Sequence, residues 1–132
     1  MPAGAHLFAA PNKIQLAQTD YFIAQSVYRG WALFGIALIG NVISLTALAI
    51  AQRAQRVPFV LVLGSLFCQL ASLAIFFALV YPTNIATDNW TTIPANWELL
   101  RSNWELGHAI NAGISFVGFV ALVLSVLLTR DL

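Results

Sequence analysis

Three long apolar runs separated by polar links set the pattern of this chain. The predicted spans cover residues 23–52, 57–81 and 105–129, and each contains an uncharged run of at least 21 residues. At ~1.5 Å per residue, such a run lets a helix cross the ~30 Å hydrocarbon layer of a bilayer. The pattern predicts an all-α fold, an antiparallel bundle of three transmembrane helices, with residues 1–132 forming a single membrane domain.

The predicted loop 82–104 between the second and third spans is rich in tryptophan. Trp90, Trp97 and Trp104 recur at nearly regular intervals. Such a series is typical of an interfacial belt, with rings among the lipid headgroups and indole N–H groups in water. The alternative is a ligand-binding site formed by these aromatic rings together with Arg101 and Asn111.

A second feature, a ladder of aromatic and polar residues, follows from helical spacing at the start of the third span. Its six residues are separated by four, three, four, three and four positions: Trp97, Arg101, Trp104, His108, Asn111 and Ser115. At ~100° per residue, they fall within a wedge of roughly 80°. The aromatic and hydrogen-bonding groups of the ladder therefore begin in a charged part of the helix and continue into a part that is expected to lie in an apolar medium.

Further polar residues interrupt the apolar runs at helical spacing. They are Asn41 and Ser44 in the first span and Ser65, Gln69 and Ser72 in the second. An amide facing lipid costs several kcal/mol, so these side chains should face neighbouring helices. We expect Asn41 and Gln69 to act as interhelical hydrogen-bond partners, together with Ser115, rather than as transport ligands.

Composition narrows the class of protein. The chain is 60% hydrophobic and 8% charged, with a mean hydropathy of +0.82, whereas soluble domains carry about 25% charged residues. The lipid bilayer is therefore the predicted partner. Net charge is +1, and the six Lys and Arg residues are scattered along the chain. This distribution argues against nucleic-acid binding.

No complete catalytic or cofactor motif is present. The sequence lacks a nucleophile motif and a glycine-rich phosphate loop, and its His, Asp and Glu residues show no metal-ligand spacing. We therefore predict no metal and no cofactor. The prediction is a structural, accessory or ligand-binding membrane module, with enzymatic activity uncertain and less favoured.

His108 is the one candidate for chemistry at membrane depth, because intramembrane ionisable groups are costly and often functional. As a catalytic residue it would act as a general base, oriented by Glu105 or Asn84. Two alternatives remain. It could hold the third span against the end of the second span by hydrogen bonds near Asn84, or it could ligate heme or a metal. A bis-histidine heme would need His6, which we expect to have no functional role because the apolar piece His6–Ala10 is too short to span.

Positive charges predict an orientation. Arg53 and Arg56 lie in the short link 52–57, which the positive-inside rule places in the cytoplasm. Alternation then puts loop 82–104 outside and the C-terminus, with Arg130, inside. The N-terminus is left outside without an export signal, an oddity that an even number of helices would remove.

Five segments carry a family resemblance: PNKI at 11–14, VYRGWALFG at 27–35, YPTN at 81–84, NWTTIPANWELLR at 89–101 and NWELGHAINA at 103–112. They resemble the anthrone-oxygenase-like family of small bacterial membrane proteins, most of which have no established function. The resemblance covers residues 5–128. Its most specific parts are Pro82-x-Asn84 and Trp104-x-x-x-His108.

The resemblance implies a four-helix bundle in the bacterial cytoplasmic membrane, of which this chain is expected to lack the first helix. The helix faces left uncovered predict a homo-oligomer or another membrane subunit as partner. It also implies a cofactor-free oxygenase acting on a lipophilic, anthrone-like substrate with His108 as base. A heme- or quinone-binding membrane subunit is the other alternative. The chain departs from the family pattern at Ala109, where members often have Arg.

Overall fold

The computed structural model describes residues 2–129 of the chain, which contain no strand. It is 82% helical, and this confirms the predicted all-α class. Six α-helices follow in order: α1 (Pro2–Lys13), α2 (Gln18–Gln25), α3 (Phe34–Ala51), α4 (Arg56–Ile75), α5 (Tyr81–Ala86) and α6 (Trp97–Leu127). Two 3₁₀ turns, Ser26–Tyr28 and Trp31–Leu33, precede α3, and the π-helical segment Phe76–Val80 joins α4 to α5.

Three helical stretches in the described residues are long and apolar enough to cross a membrane. They are the 18-residue α3, the 31 residues of Arg56–Ala86 and the 31 residues of α6. Because a helix rises ~1.5 Å per residue, even the shortest covers about 27 Å. The predicted count of three membrane-spanning helices is therefore confirmed.

The first span begins later than the sequence pattern places it. The apolar pattern sets its start near residue 23, but α3 begins at Phe34. Gly30 has a φ of +87°, a left-handed conformation that interrupts a right-handed helix and that glycine adopts without steric cost. The chain from Gln18 to Leu33 is consequently a short helix followed by two turns.

The tryptophan-rich connection is shorter than predicted. Helix α5 takes up its first residues and α6 begins at Trp97, so the non-helical part is residues 87–96. Three consecutive residues there are left-handed: Asp88, Asn89 and Trp90, with φ of 46°, 52° and 67°. Such conformations are uncommon for residues other than glycine and cost about 1 kcal/mol or more each.

The chain divides into two compact units. The first unit comprises residues up to Ala32 together with Ala74–Ala112, and the second comprises Leu33–Leu73 together with the chain from Gly113 onwards. The core of the first unit is mainly aromatic, formed by Tyr21, Phe22, Val80, Trp90 and Trp104.

The second unit has a small aliphatic core of Leu45, Ala49 and Val62. A Cβ added to Gly118 would lie 3.0 Å from the Cβ of Cys68, so helices α4 and α6 approach closely there. The predicted C-terminal position of Arg130 lies outside the described residues.

Candidate functional site

The α6 ladder and the N-terminal helix α1 meet in the first unit. His6, on α1, is 3% exposed. Its ring centroid lies 3.9 Å from that of His108, and it also contacts the rings of Trp104 at 4.7 Å and Tyr28 at 4.4 Å. His108 is half-buried. The two histidines of the chain are therefore in ring contact, with their planes tilted by 31°, and aromatic rings pack against the pair.

A buried ion pair lies about two helical turns from His6 along α1 and about one turn from His108 along α6. Lys13 follows His6 by seven residues, which places both on one face of α1. The Lys13 Nζ is 2.8 Å from the Glu105 Oε1, and the side chains are 9% and 5% exposed. An isolated charge is energetically costly when it is buried to this extent, so the Lys13 ammonium and the Glu105 carboxylate each need the other as a counter-charge.

Tyr21 and Gln25, one turn apart on α2, complete the network around Glu105. The Tyr21 hydroxyl donates to the Glu105 Oε1 over 2.8 Å and accepts from the Gln25 Nε2 over 2.7 Å. Lys13 donates to the Gln25 Oε1 over 3.4 Å. Helices α1, α2 and α6 are thus linked by one set of polar contacts.

Burial changes the acid–base properties of the α1 and α2 groups. Desolvation, assisted by the Lys13 ammonium, lowers the pKa of His6 to about 4. Desolvation also lowers the pKa of Lys13, although the hydrogen bond and charge of Glu105 oppose this effect. The pKa of Tyr21 is raised well above its ordinary range by desolvation and then by the Glu105 carboxylate. At neutral pH, His6 and Tyr21 are therefore uncharged.

Trp104 is the centre of the aromatic part of the cluster and is 3% exposed. Its Nε1 donates to the Asn84 Oδ1 over 3.0 Å. The Lys13 Nζ lies 4.4 Å from its ring centroid, a cation–π distance. Asn84 therefore fixes the indole of Trp104, and Glu105 binds Lys13 and Tyr21. Their predicted role of orienting His108 stays a prediction.

The outer end of the ladder contacts α2 and the chain before it. The Arg101 guanidinium lies over the rings of Trp97 and Tyr21, at 4.6 and 5.5 Å, and donates to the Leu16 carbonyl over 3.3 Å. Trp90 packs against Tyr21 at 5.2 Å. The predicted tryptophan series thus forms much of the aromatic core of the first unit.

Gly107 allows the π-helical segment to approach the ladder. A Cβ at this position would lie 2.8 Å from the Val80 Cγ2 and 3.2 Å from the Leu79 Cβ. Real Cβ atoms essentially never come as close as 2.8 Å to another heavy atom. Gly107 therefore fixes the distance between α6 and the Phe76–Val80 segment, immediately before His108.

The inner end of the ladder divides between the two units. Asn111 is 6% exposed and its Oδ1 has no hydrogen-bond partner among residues 2–129. The same is true of the His6 Nδ1 and the Glu105 Oε2. Ser115 is half-buried and belongs to the second unit. The polar cluster therefore ends near Asn111.

The other predicted polar residues lie in the second unit. Asn41 Nδ2 donates to the Gln69 Oε1 over 2.8 Å, joining α3 to α4. Ser44 bonds to the Gly40 carbonyl of its own helix over 2.8 Å. Ser65 is buried and Ser72 is half-buried. These residues contribute to helix packing and are not part of the cluster around His108.

Sequence analysis missed the contribution of α1 and α2. His6 was expected to have no role, and Lys13, Tyr21, Gln25 and Tyr28 were not among the predicted site residues. One signal was present in the sequence: His6 and Lys13, then Tyr21 and Gln25, are spaced by seven and four, so each pair shares a helix face. Apolar length alone could not show that these short helices pack on the third span.

The cluster contains six titratable side chains: His6, Lys13, Tyr21, Tyr28, Glu105 and His108. Across residues 2–129, no group of three or more His, Cys, Asp and Glu residues is placed to hold a metal ion. The cluster can hold an internal charge pair and share protons among neighbouring groups. No protein-family model, curated protein or solved structure matches the chain, so the family resemblance stays a prediction.

Proposed function

We propose that this chain is an integral membrane protein with a structural or accessory role, in which the α6 ladder binds the N-terminal helices of the same chain. The observation that supports this role is the 2.8 Å ion pair between Lys13 and Glu105. Both groups are buried, and Tyr21 and Gln25 extend the contact. These groups bind one another and join α1 and α2 to α6, as expected of a contact that holds the helices together.

The proposed location is a bacterial cytoplasmic membrane, with the link between α3 and α4 in the cytoplasm. Arg53 and Arg56 support this orientation, because both are exposed in that short link. Large apolar side chains on the spans support direct lipid contact, including Phe67 at 71% and Phe116 at 66% exposure. Association with a second copy or another membrane subunit through these faces is the alternative.

Turnover measurements test the accessory role. Purified protein in lipid nanodiscs would be incubated under oxygen with an anthrone, and quinone formation would be followed by absorbance. We expect no more quinone than with heat-denatured protein. Turnover that is lost in a folded His108→Ala variant but retained in a matched Ser115→Ala variant would overturn the proposal.

The second candidate function is a cofactor-free membrane oxygenase for a lipophilic anthrone-like substrate. It is supported by the half-buried position of His108 and by its contact with His6, which has a pKa of about 4 and is neutral at pH 7. In this reaction, an imidazole nitrogen takes a proton from the methylene carbon of the anthrone. The resulting carbanion is oxidised by O₂ to a peroxide, which loses water to leave the quinone carbonyl. One O₂ is consumed and one water is released per quinone.

A heme does not fit this histidine pair. Axial ligands of a bis-histidine heme lie on opposite faces of the porphyrin, whereas the rings of His6 and His108 are in contact at 3.9 Å. A quinone beside His108 would need the space that His6 occupies against Tyr28 and Trp104. We therefore assign no step to either group.

A further inference from the structure

We propose that a cleft on the first unit, separate from the buried polar cluster, binds the headgroup of phosphatidylethanolamine. The cleft has a volume of about 390 Å³ and lies between α2 with its following turn and the connection after α5. This inference does not depend on the role of His108.

One wall of the cleft is a single helical face. Thr19, Phe22 and Ser26 are separated by three and four residues, so α2 and the start of the 3₁₀ turn present them on one side, and Arg29 follows directly after that turn. Ile23 adds an apolar surface that is 64% exposed. This wall therefore presents an apolar surface together with hydroxyl groups and one cation.

The opposite wall comes from the left-handed turn of residues 88–90. Trp90 and Thr91 line the cleft with Ile93, and Trp90 is 6% exposed. Three consecutive positive φ angles hold this turn. Strained backbone of this kind is concentrated at ligand-binding sites in proteins, where a fixed geometry compensates its cost.

Chain order puts the cleft at a membrane boundary. Residues 26–33 lead into α3, and residues 87–96 lead out of α5 into α6. Since α4 and α5 return the chain to the side on which α3 begins, both cleft walls belong to one boundary of the membrane. A ligand at this boundary lies at the depth of the lipid headgroups and of the outer part of the acyl chains. The exposed side chains of Ile23 and Ile93 can contact the acyl chains.

The cleft has a cation available for phosphate. Arg29 is exposed, and within the described part of the chain its guanidinium makes no ion pair and no hydrogen bond. Arginine binds phosphate oxygens with paired N–H donors.

Acceptors for an ammonium group lie in and beside the cleft. Asp88 does not line the cleft, but its carboxylate lies 3.3 Å from the Thr91 hydroxyl, which does. Asp88 is exposed and, in residues 2–129, has no cationic partner. The hydroxyls of Ser26 and Thr91 already donate to backbone carbonyls, each over 2.7 Å. Their oxygen lone pairs therefore remain for a donor such as a primary ammonium.

These two sets of groups match a zwitterionic headgroup. Phosphatidylethanolamine carries a phosphate and a primary ammonium that donates three hydrogen bonds. Phosphatidylcholine has the same charges, but its quaternary ammonium has no N–H donor. Phosphatidylglycerol has the phosphate and lacks the cation. The structure thus assigns selectivity to Asp88 and phosphate binding to Arg29.

Native mass spectrometry of the purified full chain in detergent tests the site by titration with each of the three lipids. We expect phosphatidylethanolamine to bind about tenfold more tightly than the other two, since one charge-assisted hydrogen bond contributes about 1.5 kcal/mol or more. Arg29→Gln should weaken all three lipids. Asp88→Asn should remove only the preference for phosphatidylethanolamine, and asparagine tolerates the left-handed φ at this position.

The matched control is Arg53→Gln, which removes an exposed arginine from the link between α3 and α4 and should leave lipid binding unchanged. Equal binding of the three lipids, or unchanged selectivity in Asp88→Asn, would overturn the proposal. So would competition by soluble glycerophosphoethanolamine as strong as that by the lipid, because the ligand would then be a free phosphate ester. If Arg29→Gln fails to fold, as judged by its melting temperature, Asp88→Asn decides the result alone.

Discussion

The two units of the molecule use different interactions to fold. In the first unit, an ion pair, two histidines and several aromatic rings occupy the interior, with Glu105 and Trp104 at 5% and 3% exposure. In the second unit, the core consists of Leu45, Ala49 and Val62, with Asn41 and Gln69 joined by one amide hydrogen bond. The same helix, α6, supplies residues to both units.

This difference shows how one membrane helix can serve two kinds of packing. Apolar and small residues suffice in the second unit, because lipid-exposed helices associate through close contact. The first unit instead depends on partners that must all be present, since a buried charge without its partner is strongly destabilising. We therefore expect substitutions in the first unit to have larger effects.

The largest expected effect comes from Glu105→Ala. This change leaves Lys13 buried without its counter-charge and removes the acceptor of the Tyr21 hydroxyl. The free energy of unfolding should fall by about 3 kcal/mol or more. Thermal unfolding in detergent, followed by circular dichroism, measures the loss.

The matched control is Gln69→Ala in the second unit, which removes the hydrogen bond from Asn41 and should cost only about 0.6 kcal/mol. A double variant, Lys13→Met with Glu105→Met, should recover most of the stability, because apolar replacements remove both charges. Equal losses in Glu105→Ala and Gln69→Ala would contradict the comparison.

The next effect is a dependence of stability on pH. His6 has a pKa of about 4 in the folded chain and about 6.5 when unfolded. As the pH falls below 6.5, the unfolded chain takes up the proton first, so the free energy of unfolding decreases until the pH reaches about 4. The slope should be about 1 kcal/mol per pH unit. Unfolding measured from pH 7.5 to 4 should show a smaller slope in His6→Phe, and an unchanged slope would exclude His6 as the source.

The smallest expected effect compares two glycines on α6. Gly107→Ala introduces a Cβ that would lie 2.8 Å from Val80, so helix α6 or the Phe76–Val80 segment must shift, at a cost of about 1–3 kcal/mol. Gly113→Ala meets no atom within 4 Å and should be neutral or stabilising by up to about 1 kcal/mol. Melting temperatures of the two variants measure the difference. A Gly107→Ala variant as stable as Gly113→Ala would show that this helix contact is loose.

The number of spans could be predicted from sequence because membrane-spanning length and apolar composition are properties of each segment alone. The α6 ladder is likewise a local pattern of helical spacing. The partners of the ladder were not predictable in this way. Helix α1 has 12 residues and α2 has 8, lengths at which an isolated helix is marginal and tertiary contacts decide its place.

Details of the backbone were also hidden from apolar patterning. Gly30 looks like an ordinary small residue within an apolar region, yet its positive φ moves the start of the first span to Phe34. The left-handed turn at residues 88–90 contains no glycine, so the sequence gives no indication of its positive φ angles. At the second position, Trp90 packs against Tyr21, a residue distant in sequence.

The π-helical segment Phe76–Val80 has a consequence for how the chain tolerates length changes. A π turn holds one more residue than an α turn, so this segment is equivalent to a single-residue insertion inside an otherwise regular helix. The extra residue turns Thr83 and Thr87, which are 1% and 0% exposed, by about 100° relative to a continuous α-helix. Removal of one residue here would carry both hydroxyls away from their buried positions and would also rotate Asn84 away from Trp104, although the identity of every residue of the site would be unchanged.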